Sequence, residues 1–368
     1  MKISNNASDP EKSLAPFWQS WTRSLFGLLE EETGPLLVSH REVAVVLEIV
    51  RIEEHLRNLD GWLGRPPHSR KATARALVAK SVLNIPTTKD LIDRLKADRR
   101  LRRICGFSGL VPSESTFSRV FEEISSSGVL DAALETKVRT YLGEDAIFHV
   151  SHDSTAIPAR ERSAKKPKPE PQPKGRDGRR KKGEAPPPRG QELQESRSWQ
   201  DALFALPRAC DYGVKIGPKG YPIHWRGYKG HVSVGDGGIP LGFFTTSASV
   251  SDALAAIPAM KMVSQRVGQV FYNLLDKAYQ GEPIRRTAKA LDQVVIVPPK
   301  KTKKDEPAPQ LTPDRARRFR NRSCVERFMS DLKENHGGNF VFVRGPLKVH
   351  AHLMFGVLSI FALRVIKV

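Results

Sequence analysis

The stretch Phe319 to Lys333, reading FRNRSCVERFMSDLK, carries Phe319, Arg322, Glu326 and Lys333 at offsets of three, four and seven residues. At about 100° per residue in a helix those four fall within an arc of roughly 60° on one side. Val325, Phe328, Met329 and Leu332 gather on another side, where they would face a core. A carboxylate flanked by an arginine and a lysine on one helical stripe suits a site where metal and phosphate meet. Arg322 and Glu326, four apart, also have the spacing of an ordinary surface ion pair worth roughly a few tenths of a kcal/mol.

Two aspartates stand at the ends of apolar strand patterns. Asp153 follows Ala146 to Ser151, and Asp276 follows Val270 to Leu275. Phosphodiester hydrolysis and strand transfer commonly use two divalent ions about 3.5–4 Å apart, one at the attacking oxygen and one at the leaving oxygen. Hard ions such as magnesium take carboxylate oxygens, and Asp153, Asp276 and Glu326 brought together would supply them. Singly, each aspartate has a simpler use: Asp153 as the cap of a turn through Ser154 and Thr155, Asp276 as the N-cap of the next helix.

The charge balance narrows the partners. Lysine and arginine number 60 against 40 acids in 368 residues, a formal net charge of +20. The commonest large polyanion is nucleic acid, although a ribosomal protein or a binder of anionic membranes would show the same sign. Cys105, Cys210 and Cys324 are isolated, with no CxxC, which points to a reducing, cytoplasmic interior and no structural zinc site. The N-terminal MKISNNASDPEKS has no apolar signal region. HLMFGVLSIFALRVI near the other end is shorter than a membrane span and broken by Arg364, so it reads as a buried terminal helix.

The elements that must position these residues follow from periodicity and punctuation. Residues 1–143 read as helices: Val43 to Leu59, Ala72 to Leu83, then TKDLIDRLKADRRLRRIC capped by Thr87 or Thr88, and a further helix after Pro112. Arg94, Lys96, Arg99, Arg100, Arg102 and Arg103, beside the glycine turn at 106–109, give either a grip on a DNA backbone or a solvated basic face. From 144 to 368 the pattern becomes strand, hairpin (Tyr221 to Val234 returning through Leu241 to Ser247), helix, strand, helix, strand, helix. That order predicts an α/β domain, a mixed sheet flanked by helices. Residues 161–196 hold seven prolines and eleven lysines or arginines and read as a flexible basic insertion, lying along phosphates or serving only as a linker. A second basic run covers Lys300 to Lys304.

These motifs resemble those of bacterial insertion-sequence transposases of the DDE type, which have a ribonuclease-H-like core. Phe319, Arg322, Glu326 and Lys333 match the family's aromatic-Arg-Glu-Lys signature in spacing, with phenylalanine where tyrosine is usual. HDSTAI at 152–157 resembles its first-aspartate strand, LLDKAYQG at 274–281 its second, VVIVPPK at 294–300 the strand that follows and GYKGH at 227–231 the hairpin. The segment from Ala72 to Ile124 is similar to its helical N-terminal region.

The resemblance implies that Asp153, Asp276 and Glu326 bind two Mg2+ or Mn2+ ions, that Arg322 and Lys333 contact DNA phosphate, and that Tyr279 lies beside the same strand. It implies cleavage of double-stranded DNA at terminal inverted repeats, joining of 3′ ends to target DNA, and a homodimer on the DNA. Phe319 lacks the hydroxyl that would bond a phosphate. Only 49 residues separate Asp276 from Glu326, none of them tryptophan, which leaves no room for the large insertion found in some relatives. Two other readings stay open: a non-catalytic DNA-binding protein derived from such an enzyme, and a structure-specific nuclease with the same core.

Overall fold

The computed structural model describes residues 25–56, 68–164, 190–217, 220–299, 310–339 and 341–366. The N-terminal stretch, most of the expected insertion (165–189) and the Lys300 to Lys304 run lie outside them.

After a helical stretch at 25–33, the N-terminal half is built from α1 (Val38–Val50), α2 (Arg70–Val82), α3 (Thr88–Ala97), α4 (Arg99–Ile104), α5 (Glu114–Ser127) and α6 (Val129–Leu142). Thr87 caps α3 by accepting from the Asp90 N–H, as expected. The helix expected to run on to Cys105 instead breaks at Asp98. That carboxylate caps α4 through the Leu101 N–H and holds buried His40 at 2.8 Å, two partners that fix it outside helical geometry.

The sheet begins with β1 (Ala146–Pro158), followed by the short helices α7 (Gln191–Glu195) and α8 (Trp199–Phe204). Then come β2 (Asp211–Ile216), β3 (Pro222–Val234), β4 (Pro240–Ser247), α9 (Asp252–Ser264), β5 (Gln269–Leu275), α10 (Glu282–Ala290) and β6 (Val294–Ile296). The chain closes with α11 (Pro313–Phe319), a 3-10 turn (Arg320–Arg322), α12 (Ser323–Asn335) and α13 (Pro346–Val365). β3 lies between β4 and β1 in antiparallel pairings, and β5 and β6 continue parallel beyond β1. The order β4-β3-β1-β5-β6 is the ribonuclease-H-like arrangement. β2, missed in the sequence, pairs with the first half of β3 and leaves all but one of its residues at least partly open to solvent. At Gly227 a Cβ would collide with the carbonyl oxygen of Ile157, so only glycine lets β3 pass β1 there.

α13 organises the core. Val349, Leu353, Met354, Val357, Leu358, Ile360 and Phe361 are fully buried, and the helix packs on α1, α2, α5, α6 and β4. Its 20 residues are long and apolar enough to cross a membrane, more than the sequence stretch suggested, but two-thirds of that window is buried inside the fold. One apolar cluster runs from Val43 through the sheet to Val365. The boundary expected at residue 143 therefore falls between elements sharing a single core.

Candidate functional site at the end of the parallel strands

β1 does not stop at Asp153. Its parallel partner β5 does: the register runs to His152 opposite Leu275, while pairing with β3 carries β1 on to Pro158. Asp153 thus lies just past the last parallel pair and Asp276 immediately follows β5. Their carboxylates belong to neighbouring chain ends at the carboxyl edge of the parallel strands, where open α/β sheets bind ligands. Asp276 accepts from the Lys277 N–H at 2.6 Å, capping a single 3-10 turn (Lys277–Tyr279) rather than the next helix. Asp153 makes no turn cap; its Oδ1 accepts from the Ser154 N–H at 2.8 Å within a continuing strand.

Burial pushes the Asp153 carboxyl up to about 6, with the like charges of Asp276 and Asp252 adding, against the opposing pull of Arg322 and the Ser154 N–H. Neighbouring His152 faces away into the core, between Ser233 and Asn273, and burial lowers it to about 4, so it is a neutral core residue.

The third acid arrives on α12. Val325, Phe328 and Leu332 are almost wholly buried, each such side chain stabilising the docked helix by about 1.5–3 kcal/mol. Cys324, the lone cysteine of the motif, is packing: its thiol donates to Ser151 Oγ on β1 at 3.6 Å, and burial raises it. The single helical stripe expected from Phe319 to Lys333 is interrupted. Phe319 ends α11, Arg322 lies in the 3-10 turn, Glu326 is in the first turn of α12 and Lys333 in its last. The turn is pinned to the sheet by Asn321, 3.1 Å from the His149 ring, which is also 3.0 Å from Asp236.

Arg322 joins the acids. Its Nη2 donates to Asp153 Oδ2 at 2.6 Å and its Nη1 to Glu326 Oε1 at 2.7 Å. The i,i+4 ion pair is therefore real, but it is half of a bridge. With one planar guanidinium between them, the two carboxylate oxygens stand no more than about 8 Å apart. Glu326 is 63% exposed, whereas Arg322 is 14% exposed.

The remaining expected residues spread outward. Lys333 is half-buried beside Lys215 of β2, and burial together with that like charge lowers it. Phe319 is half-buried. Tyr279, expected beside DNA, is only 3% exposed and packs among Ile257, Met260, Leu275 and Ile284. Burial, then the charges of Asp252 and Asp153, raise that phenol well above its ordinary value.

Sequence reasoning missed Asp252 at the start of α9. Its Oδ1 accepts from Ser154 Oγ at 2.7 Å and from Lys229 Nζ at 3.0 Å, bracing the residue next to Asp153 from behind. Lys229 lies in the quoted GYKGH, but only the sheet brings it to Asp252. Arg318, stacked 4.1 Å over Tyr272, was likewise overlooked.

The donor set suits a hard divalent ion: carboxylate oxygens only, one of them desolvated. A guanidinium already sits as a cation between Asp153 and Glu326. Among the described residues no three acids, histidines or cysteines meet as a ready-made ligand cluster. Asp153 and Asp276, whose charges act on each other, offer carboxylate oxygens of the kind such an ion takes.

Strand order and carboxylate placement define a ribonuclease-H-like protein. Residues 148–362 match the family model described as Transposase DDE domain, and residues 37–123 match Transposase domain (DUF772). The first match covers more than half of the chain, and the chain belongs to the DDE transposase family. No curated protein and no solved structure matches it. The family acts on DNA and generally uses divalent metal ions.

Proposed function

We propose that the protein is a transposase that cuts DNA at the terminal inverted repeats of an insertion sequence and joins the freed 3′ ends to target DNA. The observation that carries this reading is the placement of Asp153 and Asp276 one residue past the last parallel pair of β1 and β5, with Glu326 one guanidinium from Asp153. Asp153, Asp276 and Glu326 would hold two Mg2+ or Mn2+ ions. Bound there, the ions lower the charge barrier to attack on phosphate and steady the leaving oxygen. Arg322, Lys333 and neighbouring Lys215 bind the phosphates flanking the cut, and Phe319 offers them only an apolar edge. Tyr279, closed into the apolar layer behind Asp276, acts as a positioning residue.

The helical region up to residue 143 reads the element ends, two copies of the chain assemble on the paired ends, and the reaction takes place in the bacterial cytoplasm. The test is incubation of the purified chain with a duplex carrying the inverted repeats that flank its coding region, with Mg2+, Mn2+ or EDTA. Metal-dependent nicking followed by joining to a second duplex supports the reading. Nicking without joining points to a nuclease, and binding without nicking to a non-catalytic derivative. Undiminished nicking by Asp153→Ala removes the proposed site.

A further inference from the structure

Both oxygens of Asp153 are already engaged, Oδ1 by the Ser154 N–H and Oδ2 by Arg322. The exposed carboxylate of Glu326 has Arg322 as its hydrogen-bond partner. A metal ion that used Asp153 Oδ2 and Glu326 would have to take the place of the guanidinium. We infer that Arg322 is an internal counter-ion that closes the metal site in the DNA-free protein, and that a backbone phosphate of the substrate strand draws it off. The inference rests on the transposase reading and adds the order in which the site loads: DNA first, then the full set of ions.

Three features of the residue fit this role. Its planar fork matches a phosphate as well as it matches carboxylates, so transfer from one to the other exchanges like bonds for like. Its Nε–H is buried and has no partner among the described residues, leaving one donor spare for a third acceptor. It also stands in the 3-10 turn between α11, which buries no residue, and α12, which is firmly docked. Swinging the Arg322 side chain out of the bridge needs no movement of the turn that Asn321 pins, and it leaves the packing of Val325, Phe328 and Leu332 intact. Glu326, held by Arg322 and otherwise open to solvent, is freed in the same event.

The test measures Mn2+ binding to the full chain by the electron paramagnetic resonance signal of the free ion, first without DNA. Arg322→Ala is expected to bind Mn2+ about tenfold more tightly than wild type, the usual size of a coupling between two linked sites. Arg327→Ala removes the same charge five residues on, from the first turns of α12; its guanidinium bonds Ser323, not the acids, so its affinity stays at the wild-type value. On adding a short duplex, with Mn2+ binding by the duplex alone subtracted, wild type gains more affinity than Arg322→Ala does. Should Arg322→Ala fail to fold, as judged by circular dichroism, Arg322→Lys replaces it, because a lysine cannot bridge both carboxylates and is expected to tighten Mn2+ binding as well. Equal affinity of wild type and the Arg322 variant without DNA, or equal tightening by Arg327→Ala, overturns the inference. Nicking by the wild type is scored separately, so an unchanged affinity beside active nicking sinks this inference alone, and absent nicking sinks the transposase reading.

Discussion

Replacing Asp153 by asparagine should change the pH dependence of stability more than its mean. The folded protein holds this carboxyl at about 6 against an ordinary 3.8. At ~1.36 kcal/mol per pH unit, that displacement disfavours the ionised folded state by about 3 kcal/mol. Because the folded value is raised, the group's stabilising contribution is fully present below 3.8 and is lost as pH rises through about 6. The substituted asparagine carries no proton to lose, and its amide oxygen still accepts from Arg322, giving a constant offset. The difference in unfolding free energy between wild type and Asp153→Asn should therefore drift by about 2.4 kcal/mol from pH 4 to pH 7, steepest near ~1.2 kcal/mol per unit. Urea titrations at half-unit intervals, followed by tryptophan fluorescence, measure it directly. Saturating Mg2+ should restore wild-type stability at pH 7.5 and do little at pH 5, since the ion competes with the proton. A difference that stays flat across that range would show that Asp153 titrates normally and that burial does not dominate its surroundings.

Asp276→Ala and Glu326→Ala should each abolish metal-dependent nicking while leaving duplex affinity near wild type in a gel-shift assay; full nicking by either removes that residue from the site. Lys333→Ala should weaken binding alike across sequences and reduce the slope of log K against log salt by about 0.9, one phosphate contact. Phe361→Ala, in the fully buried face of α13, should cost about 3–5 kcal/mol and leave one unfolding transition in which the N-terminal helices and the sheet melt together. Two separated transitions would mean that the shared core does not couple them.

Some of the local placement was legible in the sequence. The apolar run before Asp276 ends where β5 ends, and the spacing from Arg322 to Glu326 is that of a helical pair, as found. The burial of Val325, Phe328, Met329 and Leu332 followed from periodicity alone. Other features were hidden because pairing, not composition, creates them. β1 runs on through the polar Asp153, Ser154 and Thr155 since β3 supplies ladder bonds there. β2 carries Tyr212, Val214 and Ile216 at alternate positions but leaves all three exposed, so its place comes from pairing with β3 and not from burial. Tyr279 looked like a surface residue beside a catalytic aspartate until α9 and α10 closed over it.

The chain's residues by themselves determined the polyanion-seeking charge, most of the order of strands and helices, and the place of Asp276 at the end of β5, because these depend on local pattern and count. Only the tertiary structure decided that Arg322 lies between Asp153 and Glu326, that Asp252 braces Ser154, and that the N-terminal helices share their core with α13. The first two of those contacts span 169 residues, from Asp153 to Arg322, and 98, from Ser154 to Asp252. Which side chains meet over such distances is set by packing and strand register, which no local spacing encodes.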